Sequence, residues 1–97
     1  MAGYVIANYR ITNAEAYEAY PPAVTATLLA CGADVLVADY GSEVVEGEAP
    51  SVTVVLRFPS KEAARAWYNS SDYQKIIRHR TDNTEGFILF ADEFIMP

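Results

Sequence analysis

The chain has one cysteine, Cys31, and one histidine, His79. A single thiol closes no disulfide within the chain and suits a reducing compartment. One His and one Cys fall short of the usual nitrogen and sulfur ligands of a zinc site, so no metal is expected. Basic residues are also scarce: 7 Lys and Arg against 13 Asp and Glu, a net charge of −6 at pH 7. Arg78-His79-Arg80 is the one basic cluster, too short to track a phosphate backbone, so nucleic acid is not an expected partner. No apolar run approaches transmembrane length, so no membrane partner is expected. Residues Met1 to Asn8 lack the basic region and long apolar stretch of a signal peptide, which points to a cytoplasmic protein. A Gly-rich phosphate loop is missing as well, and no nucleotide cofactor is indicated.

What is present is apolar and aromatic. The hydrophobic fraction is 52%, with seven tyrosines, in 97 residues that leave room for one domain over 1–97. Tyr4 to Ile11 is rich in β-branched and aromatic residues and reads as a strand. Thr12 and Glu15 have the spacing of a capping box. The helix they would open carries a stripe of Tyr17, Tyr20, Val24, Leu28 and Cys31, and ends at Gly32. Pro21-Pro22 predicts a kink or restart near Tyr20. Asp34 to Tyr40 reads as a second strand, with a short edge extension over Glu43 to Glu46. Ser51 to Phe58 is the third strand. Ser60 caps a helix to about Tyr68; Ser71 recaps a further piece through Tyr73, Ile76, Ile77 and Arg80. Gly86 to Ile95 is the last strand. The order β-α-β-β-α-β predicts an α+β, ferredoxin-like sandwich: a four-stranded antiparallel sheet with two helices on one face.

Alternation within the strands predicts a partner. Val52, Val54, Leu56 and Phe58 share one face of the third strand, and Thr53, Val55 and Arg57 share the other. The first and last strands likewise carry large apolar groups on both sides. Two helices cover one face, and each large apolar side chain left wet forgoes ~1.5–3 kcal/mol. The expected cover is a second copy, sheet against sheet, in a symmetric homodimer.

The segments YVIA, TNAEAYEAY, VVEGE and LRFPSKEAARAWYNSSDYQKIIRHR, which together run nearly the length of the chain, resemble the family known as domain of unknown function 1330, in the dimeric α/β-barrel superfamily. The resemblance implies a ferredoxin-like protomer and a barrel-forming dimer, and no established activity. Pro21-Pro22 departs from the usual unbroken first helix. Asn8, Arg10 and Arg57 stand where acidic residues are expected in many members.

Cofactor-free monooxygenases and isomerases of that superfamily place their sites between helices and sheet. The residues predicted to line such a pocket for a small molecule are Tyr9, Tyr17, Tyr20 and Trp67, with Tyr73 and Arg80 as candidate catalytic groups. Tyrosine donates or accepts a proton, and a guanidinium on an apolar stripe requires a carboxylate, carbonyl or ligand partner. The plainer alternative is that Arg80 pairs with Asp82 or Glu85 and the tyrosines are core. His79, whose pKa lies nearest neutrality, is a further proton-transfer candidate, though it falls off the apolar stripe. Haem-degrading relatives use an Asn, a Trp and a His, which Asn8, Trp67 and His79 imitate. Yet the family's Asn aligns on Tyr9, and Trp67 reads as helical, so no cofactor is expected. A non-catalytic, metabolite-binding or stress-related dimer is the alternative to an enzyme.

Overall fold

A computed structural model describes residues 1–97. The chain runs β1 (Gly3–Ile11), α1 (Ala14–Tyr17), α2 (Tyr20–Cys31), β2 (Asp34–Asp39), β3 (Val52–Phe58), α3 (Lys61–Tyr68), α4 (Ser71–Gln74), α5 (Arg78–Thr81) and β4 (Thr84–Asp92). It is an α+β fold whose sheet has the order β2-β3-β1-β4, every neighbouring pair antiparallel. No helix is long and apolar enough to cross a membrane.

Local chemistry sets the element ends. Asn13, not Thr12, caps α1: its Oδ1 accepts the Ala16 N–H at 3.1 Å. The Thr12 N–H is taken by the Asn83 carbonyl at 2.8 Å, so the chain leaves the sheet one residue later than a Thr12 cap requires. The predicted restart falls where expected. Pro21 and Pro22 occupy the first turn of α2, where an N–H would have no helical partner. Gly32 closes α2 in the left-handed conformation, φ 70°.

Ser60 caps α3 as predicted, accepting the Ala63 N–H at 3.0 Å. Ser70, rather than Ser71, caps α4 through the Tyr73 N–H at 3.2 Å. The single helical piece expected beyond it is two. Ile76 bonds back to Tyr73, and His79 to Ile76, at three-residue spacing that tightens the chain between α4 and α5. β4 begins and ends earlier than the sequence suggests, because it pairs with β1 from Ile11–Thr84 to Gly3–Asp92. No strand forms over Glu43 to Glu46; residues 42–50 are loop.

The register sorts the side chains by face. Val5 stands opposite Leu56 and Phe90, and Ala7 opposite Val54 and Ile88. This face meets the helices, and Val5, Ala7, Tyr9, Leu56 and Phe58 are buried there with Leu28, Ala64 and Trp67. On the other face, Val37, Val55, Ile6 and Leu89 form one apolar row across all four strands. Beside that row Phe87 is 50% exposed, and Leu89 within it is 44% exposed. The molecule measures 42 × 37 × 16 Å, a two-layer slab, and 15 of its 97 residues are buried. So thin a core is the signature of a small domain with apolar surface still uncovered.

Candidate functional site

A cavity of about 130 Å³ lies between α2 and the sheet. Its floor is the helix-facing side of β1 and β3, with Val5, Ala7, Val54 and Leu56. Its roof is α2, with Tyr20, Val24 and Leu28, and Trp67 of α3 and Arg80 of α5 complete the wall. The mouth lies toward the sheet edge, where Val35, Ala38 and Tyr40 are exposed.

Two sets of phenols surround this space, four of them lining it and Tyr73 behind the wall. Tyr9 and Tyr17 share a hydrogen bond between hydroxyls at 2.6 Å, and Tyr17 meets the Tyr40 hydroxyl at 3.1 Å. Tyr9 is buried and Tyr40 is 48% exposed, so this chain of three hydroxyls runs from the interior to the surface. In the second set, the hydroxyls of Tyr20 and Tyr73 lie 2.8 Å apart, and Arg80 Nε donates to the Tyr73 hydroxyl at 3.3 Å. The seven-residue spacing from Tyr73 to Arg80 survives the break between α4 and α5 and aims both groups at one point.

Burial decides the protonation states. It pushes the pKa of Tyr9, Tyr17 and Tyr20 above the ordinary phenol range, and the neighbouring hydroxyls add to the rise at Tyr17 and Tyr20. All three are neutral hydrogen-bonding groups at physiological pH. At Arg80 burial opposes the charge, but Tyr73 and then Tyr20 outweigh it, so the guanidinium stays protonated.

Arg80 is 7% exposed; its Nε donates to the Tyr73 hydroxyl, and the Tyr20 hydroxyl also supports the guanidinium. The expected carboxylate partners are engaged elsewhere: Asp82 with Arg78 at 3.2 Å, and Glu85 with Arg10 at 2.6 Å. The pairing of Arg80 with a local acid is therefore not formed. No side-chain nitrogen or oxygen is both sealed from solvent and without a partner.

Of the residues predicted from sequence, Tyr9, Tyr17, Tyr20, Trp67 and Arg80 line the cavity. Tyr73 is fully buried behind the wall, its ring 4.2 Å from that of Trp67, and it acts on the site through its hydroxyl. Trp67 is itself held by its Nε1–H, which donates to Thr27 Oγ1 of α2 at 2.9 Å. His79 is exposed and lies outside the wall. Asn8 sits on the helix-free face, where its Nδ2 donates to the Pro50 and Val52 carbonyls at 2.9 and 3.0 Å, so Asn8, Trp67 and His79 are not brought together. Tyr40 was missed by sequence reasoning. It lies just past the end of β2, and its one available signal is a phenol following that strand.

Fold and cavity define a small two-layer α+β domain with an apolar, hydroxyl-trimmed pocket beneath its helices. The family model of the domain of unknown function DUF1330 matches residues 2–94, and the chain belongs to that family. The fold is shared with the RPA0582 protein of unknown function from Rhodopseudomonas palustris. That likeness has a TM-score of 0.79 at 15% identity, over 98% of this chain and 84% of that one. HapK from Hahella chejuensis is similar at TM-score 0.61 and 18% identity, over 98% of this chain and 95% of that one. At such identities the likeness speaks for fold alone. No curated protein matches this chain.

Proposed function

We propose that the chain is a small-molecule-binding domain whose ligand occupies the cavity between α2 and the sheet. The observation that carries this reading is the cavity itself: apolar walls with a few convergent polar groups, the usual composition of a ligand site. Within this reading the strand order and antiparallel pairing are those of a ferredoxin-like protomer. The apolar row on the helix-free face supports a homodimer built sheet against sheet. The pocket lies on the opposite side of the sheet from that interface.

Binding is favoured over acid–base catalysis by what faces the cavity. Its wall carries no carboxylate, histidine or lysine, and its buried phenols are neutral, so nothing there serves as a general base near neutral pH. A second reading is cofactor-free catalysis of the monooxygenase or isomerase type. It draws support from the Tyr9–Tyr17–Tyr40 chain, which connects the pocket to solvent through shared protons. There Arg80 would orient a substrate oxygen and the phenols would pass the proton.

The test is a thermal-shift screen of aromatic acids, quinones and lactones against the wild type and Ala38→Trp, a variant that fills the mouth from an exposed position. A ligand at about 100 times its Kd adds about 2.7 kcal/mol, which raises Tm by roughly 10–20 °C in a domain this size. The shift should vanish in Ala38→Trp. A ligand that stabilises both proteins equally binds elsewhere and refutes the assignment. Turnover of a bound compound would select the catalytic reading.

A further inference from the structure

We infer that the ligand of this cavity is a small organic anion: a body about the size of one ring, bearing a carboxylate-type head that Arg80 holds through its terminal nitrogens. The inference rests on the small-molecule reading above and adds the charge class to it.

Arg80 is the one charged residue on the cavity wall. A buried charge without a counter-charge is costly, and proteins normally pair it. Here the pairing is missing. Asp82, Glu85 and Asp92 are bound to Arg78, Arg10 and Lys61, and what faces the guanidinium from the packed elements is the hydroxyls of Tyr73 and Tyr20. Neutral hydroxyls orient a guanidinium and leave its charge in place. Nε is fixed on Tyr73, which sets the plane of the group, and no carboxylate pairs with the terminal nitrogens. Their parallel N–H bonds match the two oxygens of a carboxylate.

The overall charge of −6 argues that this is a specific feature, since no diffuse basic surface accounts for one buried cation. Size narrows the class further. A dry apolar cavity of ~150 Å³ takes one benzene molecule, and this one measures about 130 Å³. The walls beyond Arg80 are aliphatic and aromatic, so the remainder of the ligand is apolar.

The experiment is calorimetric titration of the wild-type protein with benzoate and cyclohexanecarboxylate, and with benzamide and benzyl alcohol as neutral counterparts. A charge-assisted pair at this depth should make a carboxylate bind roughly 10- to 100-fold more tightly than its neutral counterpart. Arg80→Met should erase the difference, and Arg80→Lys should keep part of it. If Arg80→Met does not fold, the comparison of charged and neutral ligands on the wild type decides alone. Equal affinity for acid and amide, or unchanged benzoate affinity in a folded Arg80→Met, overturns the anion inference and leaves the cavity reading standing. Failure of every ring compound, charged or neutral, overturns both.

Discussion

Raising the pH should unfold this protein in a way set by three buried phenols. Tyr9, Tyr17 and Tyr20 are each held above the ordinary phenol pKa, chiefly by burial. The unfolded chain releases these protons near pH ~10, whereas the folded chain keeps them. Above that pH the native state therefore binds more protons than the unfolded state, and stability falls as pH rises. Each such phenol removes at most about 1.4 kcal/mol per pH unit while the pH lies between its unfolded and folded pKa, so the three together remove at most about 4 kcal/mol per unit. Against a usual total of ~5–15 kcal/mol, a protein at the lower end is exhausted little more than one unit higher. Below pH ~9 the contribution is fully present and stability should not depend on these groups. Urea unfolding followed by circular dichroism, repeated at steps of pH from neutral upward, measures the slope directly. Near-ultraviolet absorbance of tyrosinate should rise in two stages, exposed phenols first and the buried ones together with unfolding. Replacing Tyr17 by Phe should cut the slope by about a third. A stability that stays level through pH ~11 would refute the reasoning, because the phenols would then ionise alike in both states.

Three further perturbations bear on the fold and the site. Leu89→Glu puts a charge into the apolar row of the helix-free face; sedimentation should show a homodimer in the wild type and a monomer in the variant, with cavity binding retained, whereas a monomeric wild type would remove the dimer proposal. Tyr73→Phe deletes the acceptor of Arg80 Nε and the partner of the Tyr20 hydroxyl, and should cost about 1–3 kcal/mol in urea unfolding. Gly86→Ala places a Cβ 2.3 Å from the Asn8 carbonyl oxygen and 2.5 Å from Tyr9 Cα, so it must part β4 from β1. Its expected cost is roughly 1–3 kcal/mol, together with altered near-ultraviolet dichroism from Tyr9.

Much of the fold was readable because strand alternation and helix periodicity are short-range signals. The face carrying Val5, Ala7 and Tyr9 and the face carrying Val52, Leu56 and Phe58 followed from parity alone, and the stripe that buries Tyr17, Tyr20 and Leu28 followed from three- and four-residue spacing. Element ends were harder to read. The competition between Thr12 and Asn13 for the cap is decided by Asn83, about seventy residues away in sequence, and no local pattern contains that contact. The site was half legible for the same reason. Aromatic residues on buried faces could be gathered into one pocket, and Arg80 stood out as a cation on an apolar stripe. Whether Arg80 had a partner depended on where Asp82 and Glu85 point, which is a tertiary fact. Tyr40 entered the site through a hydroxyl contact with Tyr17 of α1 that spacing does not encode.

The edge strand β2 gives the pocket two unlike ends. All six residues of β2 are exposed, it hydrogen-bonds to β3 alone, and its register slips between Val35 and Val37. That rim is held by ladder bonds on one side only, so moving it costs fewer contacts than moving any central strand. The opposite end is anvil-like, with Arg80 braced on Tyr73 and Tyr73 packed against the Trp67 ring at a tilt. Discrimination should accordingly be lenient toward the length of a guest's tail and strict toward the chemistry of its head.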